Sequence, residues 1–150
     1  MYKMKEEWVA FLMEAREAKH LGKLEITEGE KLASKQMDYQ RDNMKYQDFF
    51  FGLRDFSGSE MVWADDEACW SRSYLGRVLR DEFDEKFYHR MCLKAMYDIQ
   101  AKGAIYYIEG VDEYKRIVKG TLDFFQGHEM VFHSGVQVYD CYFQGGIVGK

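Results

Sequence analysis

The sequence predicts one α+β domain over residues 1–150, with a curved antiparallel sheet and two helices on one face of that sheet. Three observations support this class. Aromatic residues make up 17% of the chain, with 11 Phe, 11 Tyr and 3 Trp, and such side chains favour strands and half-buried surfaces. Two segments repeat apolar residues at helical spacing, and six others have the alternation typical of strands. The length of 150 residues fits a single domain with its own core.

The elements are expected in the order helix, three strands, helix, three strands. Helical spacing covers residues 6–21 and 78–102, and Gly22 and Gly103 stand where each helix should end. The polar segment 23–43 is expected to be a loop with at most one short strand. The segments with strand-like patterns are 44–52, 55–64, 67–76, 113–120, 122–133 and 136–148.

This order predicts an internal αβββ repeat, with a first copy at about residues 5–78 and a second at about 79–150. Segment 58–62 (GSEMV) matches segment 127–131 (GHEMV), and aromatic residues further along coincide under the same shift. Two copies predict a pseudo-two-fold domain rather than a longer repeat array.

Hairpin geometry predicts which side chains share a face of the sheet. Ser134-Gly135 indicates a two-residue turn, which would put Met130 opposite Tyr139. The face with the larger aromatic side chains is the expected core, because side chains alternate along a strand. Its expected members are Met61, Trp63, Trp70, Tyr74, Met130, Phe132, Tyr139 and Phe143. Glu60 and Glu129 are expected on the opposite, mixed face.

Several segments resemble a known family. Residues 49–62 (FFFGLRDFSGSEMV) and 70–76 (WSRSYLG) are similar to the family called domain of unknown function 5680. Residues 125–129 (FQGHE) and 139–146 (YDCYFQGG) resemble the ending of that family, and the first predicted helix is similar to its opening.

The resemblance implies a regulatory or sensing module, because relatives occur alone or behind an Xre-type helix-turn-helix domain. The family has no established activity, so it implies no catalytic residues. The chain departs from the family pattern in segment 30–36, which lacks the usual prolines, and at Ser73, where the family usually has Asn.

Composition argues against several functional classes. Lys and Arg number 21 against 26 Asp and Glu, and this net charge of −5 disfavours direct nucleic-acid binding. The three cysteines, Cys69, Cys92 and Cys141, are odd in number and widely spaced, which is typical of reduced thiols in the cytoplasm. The N-terminus lacks a signal-peptide pattern, and no apolar run approaches the roughly 20 residues of a membrane span. We therefore expect a cytoplasmic protein that does not enter a membrane.

The sequence predicts neither a cofactor nor a metal ion. It contains no phosphate loop, dinucleotide fingerprint or nucleophile elbow. His128 and His133 are spaced so that a strand would send their rings to opposite faces, which does not suit metal binding.

Glu60 and Glu129 are the leading candidate site residues, because they occupy equivalent positions in the two predicted copies. They could bind a cationic or hydroxyl-bearing ligand, and burial would raise their pKa values towards acid/base use. The alternative is that each accepts backbone hydrogen bonds and stabilises its hairpin. Trp70, Tyr74 and Tyr139 are further candidates, either as an aromatic wall for a ligand or as core residues.

Three functions remain open on the sequence alone. The preferred one is a cytoplasmic small-molecule-binding or sensory module without enzymatic activity, in which Glu60 and Glu129 face a shared cleft. The second is a small enzyme that uses the same glutamates as acid and base. The third is an interaction domain without a pocket, such as a homodimer or an inhibitor of another protein.

Overall fold

A computed structural model of the protein describes residues 3–96 and 103–149. Two helices, α1 (Glu6–His20) and α2 (Glu85–Met96), pack on one face of a nine-stranded antiparallel sheet. The strands are β1 (Thr27–Glu28), β2 (Lys35–Arg41), β3 (Met44–Gly52), β4 (Asp55–Ala64), β5 (Glu67–Val78), β6 (Gly103–Glu109), β7 (Asp112–Thr121), β8 (Phe124–His133) and β9 (Val136–Ile147). The α+β class predicted from the sequence is confirmed.

The sheet joins two meanders at its centre. Its strand order is β1-β2-β3-β4-β5-β9-β8-β7-β6, so every neighbouring pair is a sequential hairpin except β5 and β9. The β5–β9 pairing places Tyr74 beside Phe143 and Val78 beside Tyr139. Each meander therefore supplies one half of an open sheet, with β1 and β6 at the two edges.

Helix α1 has the start and end that the sequence predicts. After the helix, Gly22 takes φ +72°, a left-handed conformation that glycine adopts without steric cost. The backbone N–H of Gly22 donates to the carbonyl of Lys19, and that of Lys23 donates to the carbonyl of Ala18. This pair of hydrogen bonds is a Schellman motif and satisfies the last carbonyls of the helix.

The prediction of a loop over residues 23–43 is wrong, because β1 and β2 both lie there. Strand β2 turns only Met37 and Tyr39 towards the helices, and polar residues surround them, so its alternation is weak in the sequence. Strand β6 was also missed, because it carries apolar residues on both faces and has no clear period. Five strands follow α1 and four follow α2, instead of three after each.

Helix α2 begins later than predicted. Residue Val78 ends β5, and the helix starts at Glu85. The cap is Asp84, whose Oδ1 accepts hydrogen bonds from the backbone N–H groups of Lys86 and Phe87 at 2.9 and 3.3 Å. The predicted end of this helix falls at residues 97–102, outside the described residues.

The predicted facing of β4 and β8 is wrong because each meander contains a β-bulge. Cys69 is an extra residue on β5, so Val62 pairs with Trp70 and Glu60 with Arg72. Val138 is the corresponding extra residue on β9. One extra residue reverses which side chains of the partner strand share a face.

As a result, the glutamates face the helices. Glu60 and Val62 lie on the helix side of β4, whereas Met61 and Trp63 lie on its outer side, and β8 behaves in the same way. On β5 and β9 the prediction agrees with the structure, since Trp70, Tyr74, Tyr139 and Phe143 belong to the two clusters beneath the helices.

Two apolar clusters hold the helices to the sheet. Residues Phe11, Leu12 and Ala15 of α1 pack with Val62 and Trp70 in the first cluster. The second cluster has the corresponding arrangement on α2. Its members include Phe87, Met91, Ala95, Val131 and Tyr139. Within the described residues, no helix is long and apolar enough to span a bilayer.

Candidate functional site

Charged side chains are buried between the helix pair and the sheet. Asp48, Glu60, Arg72 and Glu129 are at most 7% exposed. All four lie on strands and face the helices, and for Glu60 and Glu129 this facing is set by the bulges. Burying a charge is costly unless partners surround it. The hydrogen-bond and ion-pair partners of each charged group therefore determine which chemistry that group can take part in.

Both carboxylate oxygens of Glu60 accept hydrogen bonds. Its Oε1 accepts a hydrogen bond from Arg72 Nη1 at 2.7 Å, and its Oε2 accepts one from the Tyr46 hydroxyl at 2.5 Å. Arg16 of α1 brings its Nε to 3.5 Å from Oε2. This ion pair connects α1 to two strands of the sheet.

These neighbours keep Glu60 ionised. Burial by itself would raise the pKa of Glu60, but the positive charges of Arg16, Lys19 and Arg72 and the Tyr46 hydroxyl outweigh it. The pKa of Glu60 therefore lies well below its ordinary value. This direction is opposite to the one that a general acid needs near neutral pH.

A second ion pair lies beside the first. Lys19 Nζ is 2.7 Å from Asp48 Oδ2, and the Tyr74 hydroxyl donates to Asp48 Oδ1 at 2.6 Å. The ring of Tyr74 reaches from β5 across β4 to β3 because Gly58 lies beneath it. A Cβ at Gly58 would come within 2.3 Å of the Tyr74 hydroxyl oxygen.

Glu129 has different neighbours. Its Oε1 accepts a hydrogen bond from the Tyr88 hydroxyl of α2 at 2.5 Å, and its Oε2 accepts one from the Tyr114 hydroxyl of β7 at 2.6 Å. The strand residues directly across from Glu129 are Arg116 and Cys141. The corresponding neighbours of Glu60 are Asp48 and Arg72. The two halves of the sheet therefore arrange their charges differently.

The difference coincides with a cavity in the second half. A space of about 40 Å³ lies between the helices and strands β5, β7, β8 and β9. Its charged wall consists of Arg16, Arg72, Arg116 and Glu129. Its apolar wall includes Trp70, Met96, Val118, Leu122, Phe125 and Phe143.

Two guanidinium groups at this cavity have unused hydrogen-bond donors. Within residues 3–96 and 103–149, the Nε atoms of Arg16 and Arg116 are buried and donate no hydrogen bond. The apolar wall is fixed, because Trp70 Nε1 donates to the carbonyl of Leu122 at 3.0 Å and the Trp70 ring stacks on Phe125. The site therefore places two guanidinium Nε atoms that donate no hydrogen bond to the described residues, one of them in a long ion pair with Glu60, beside an aromatic surface.

The predicted site residues separate into two groups. Glu129 and Trp70 line the cavity, whereas Glu60 contacts Arg16 and Arg72, which line it. Tyr74 donates its hydroxyl to Asp48. Tyr139 stacks on Phe83 at 4.7 Å between ring centroids.

Sequence reasoning missed the three arginines of the cavity. Arg72 lies between Trp70 and Tyr74 in the alternation along β5. The alternation that placed those two aromatic residues on the core face therefore also places Arg72 there. Arg16 lies four residues after Leu12 on the apolar stripe of α1, which is also a readable signal. Arg116 had no such signal, because β7 mixes charged and apolar residues on both faces.

A histidine pair lies between the two helices. His20 Nδ1 is 3.0 Å from His89 Nδ1, so one ring donates its proton and the other accepts it. Burial, followed by the charges of Lys19 and Arg16, lowers the pKa of His20 well below its usual value. Burial also lowers the pKa of His89. Both rings are neutral at pH 7.

The thiol at the cavity is protonated. Burial raises the pKa of Cys92 to about 12, and the Glu129 charge adds to that effect. A neutral thiol is a poor nucleophile and a poor metal ligand. Among the described residues, no three His, Cys, Asp or Glu side chains form a group that could hold a metal ion.

The model of the family described as "Domain of unknown function (DUF5680)" matches residues 48–148. The chain belongs to this family. The match begins within β3 and ends just after β9, so this DUF5680 region includes Glu60, Arg72, Arg116 and Glu129. No curated protein and no solved structure matches the chain. The family description names no activity, so any function must be argued from the geometry.

Replacement of Arg72 by methionine should strongly destabilise the protein. Arg72→Met leaves the buried Glu60 carboxylate without its closest cation, and breaking a buried pair costs about 3–5 kcal/mol. Denaturant unfolding measures this loss. The matched control is Arg77→Met on the exposed part of the same strand, which should change stability by less than about 0.5 kcal/mol. Equal effects of the two substitutions would contradict the role given to Arg72.

The histidine pair predicts a pH dependence of stability. The folded protein holds both pKa values down, whereas unfolded histidines bind protons near pH 6.5. The stabilisation is therefore complete above that pH and is lost as the pH falls through it, at a rate of at most about 1.4 kcal/mol per pH unit for each ring. Denaturant unfolding between pH 5.5 and 8.5 measures this loss.

The double variant His20→Gln/His89→Gln should lose less stability between pH 7 and 5.5 than the wild type. Above pH 7 the difference between the two proteins should be constant. An unchanged acid-side slope in the double variant would show that other groups cause it.

Proposed function

We propose that this protein is a small-molecule-binding or sensory module without enzymatic activity, and that its ligand binds in the cavity between the helix pair and the sheet. The observation that carries the proposal is the buried Nε of Arg116, which donates no hydrogen bond to the described residues, beside the Nε of Arg16, whose contact with Glu60 Oε2 is long at 3.5 Å. Unpaired buried donors are costly, and a ligand that accepts hydrogen bonds removes the cost.

The walls of the cavity also suit ligand binding. Binding pockets combine an apolar lining with a few polar groups that orient the ligand. Here Trp70, Phe125 and Phe143 supply the apolar part, and the arginines with Glu129 supply the polar part. The site depends on both helices, since Arg16 belongs to α1 and Cys92 to α2. A bound ligand would therefore favour one position of the helices. A sensor protein reports ligand binding through a conformational shift of this kind.

An enzyme remains the second candidate. The observation in its favour is Glu129, a carboxylate at the cavity wall between two tyrosine hydroxyls. Against it, Glu60 is saturated by its partners, the Cys92 thiol is protonated, and burial raises the pKa of Tyr114 well above its usual value. Groups with such pKa values exchange protons poorly near neutral pH.

We also propose that the two halves of the chain are an internal repeat. The Tyr46–Glu60 hydrogen bond has a counterpart in Tyr114–Glu129. The bulge in β5 has a counterpart in β9, and Tyr74 over Gly58 has one in Phe143 over Gly127. Under this proposal the first half keeps its charges paired, whereas the second half became the binding site.

A thermal-shift screen of the whole chain against a broad metabolite library tests the proposed site. A ligand at about 100 times its Kd should raise Tm by roughly 5–10 °C for a domain of this size. Val118→Phe, which fills the cavity, should abolish the response to a hit. The control Ile117→Phe changes the neighbouring side chain on the outer face of β7 and should keep the response.

Two results would overturn the proposed site. One is a library without a hit on the wild type. The other is a set of hits that Val118→Phe binds as well as Ile117→Phe does, provided that both variants unfold cooperatively.

A further inference from the structure

Within residues 3–96 and 103–149, the charges around the cavity do not balance. In this part of the chain, the three guanidinium groups of Arg16, Arg72 and Arg116 face two carboxylates, those of Glu60 and Glu129. Lys19 and Asp48 neutralise each other at 2.7 Å, and the histidine pair is neutral. This leaves one positive charge in excess in a largely buried layer.

The excess is located at Arg116. Arg72 is bound to Glu60, and Arg16 lies 3.5 Å from the same carboxylate. Arg116 lies across from Glu129 in the strand register, but both Glu129 oxygens accept tyrosine hydroxyls. Among the described residues, Arg116 has no ion-pair partner, and its Nε is buried.

We infer that the ligand is a small monocarboxylate, held through its carboxylate group by Arg116 and Arg16 and through its apolar part by the aromatic wall. This inference rests on the proposed binding function and specifies its chemistry. One negative charge neutralises the excess. Guanidinium groups bind carboxylates through two parallel N–H···O hydrogen bonds, and charged hydrogen bonds of this kind are the stronger ones.

The volume of the cavity limits the class of ligand further. A water molecule needs about 10–15 Å³ of such space, so a cavity of about 40 Å³ holds only a few atoms of a head group. A carboxylate suits this volume, whereas a phosphate ester would be larger and would bring a second negative charge. The apolar part of the ligand is therefore short, and it would lie against Trp70, Leu122 and Phe125, which line the same space as the arginines.

The geometry disfavours a cationic ligand. A cation would face three arginines and would have Glu129 as its nearest anion, and Glu129 already accepts two hydrogen bonds. The wall would repel such a ligand in a region of low dielectric constant.

Thermal-shift titrations of the whole chain at constant ionic strength test the inference. The probes are sodium acetate and sodium propionate, with propionamide as the neutral match and sodium chloride and sodium phosphate as other anions. We expect a saturable rise in Tm of several degrees with at least one carboxylate, and none with propionamide.

Three variants identify the residues that bind the carboxylate. Arg116→Gln should weaken carboxylate binding at least about tenfold, because it removes a charged hydrogen-bond donor. Arg80→Gln, an exposed arginine on the loop before α2, should leave it unchanged. Glu129→Gln should bind the carboxylate more tightly, because it removes a like charge from the wall.

The outcomes separate this inference from the proposed function. No response to either carboxylate, an equal response to phosphate or chloride, or an unchanged response in Arg116→Gln would overturn the ligand class. If neutral or cationic metabolites still give hits that Val118→Phe abolishes, the binding function stands without the carboxylate. If no metabolite gives such a hit, both fail.

Discussion

The buried carboxylate of Glu60 is the constraint on which the rest of the structure depends. A charge with no exposed surface needs cations and donors on every side. Arg72 and Tyr46 supply them from the neighbouring strands, and Arg16 supplies one from α1. The same contacts fix α1 on the sheet, so charge pairing and helix packing are satisfied together. Loss of this ion pair would leave Lys19, which pairs with Asp48, as the other buried ionic contact of α1 with the sheet.

The half of the sheet formed by β6 to β9 has a similar strand arrangement, but its charged residues are paired differently. Glu129 occupies the place of Glu60, but Arg116 stands where the first half has Asp48, and Cys141 stands where it has Arg72. The tyrosine hydroxyls satisfy Glu129 without a cation. Among the described residues, Arg116 is therefore left without an ion-pair partner beside the cavity, and this is the feature on which the proposed binding site rests.

Much of this architecture could be predicted from the sequence. Strong periodicity identified α1 and the central strands, and the matching GSEMV and GHEMV segments drew attention to both glutamates. The bulges at Cys69 and Val138 were missed, because their only mark is a pair of consecutive buried apolar residues, Cys69-Trp70 and Val138-Tyr139, in otherwise alternating strands. They reversed the facing of β4 and β8. The pairing of Glu60 with Arg72 was missed for this reason, and Arg116 was missed because β7 has no consistent period.

The most direct test of the charge excess is the free energy of unfolding of Arg116→Met in carboxylate-free buffer, measured by denaturant titration. Arg116 is half-buried, and its Nε is buried without a hydrogen bond to the described residues, so a methionine of similar length should leave stability unchanged or increase it. A loss of more than about 2 kcal/mol would contradict the account, because it would show that Arg116 already has a partner of opposite charge in the protein itself.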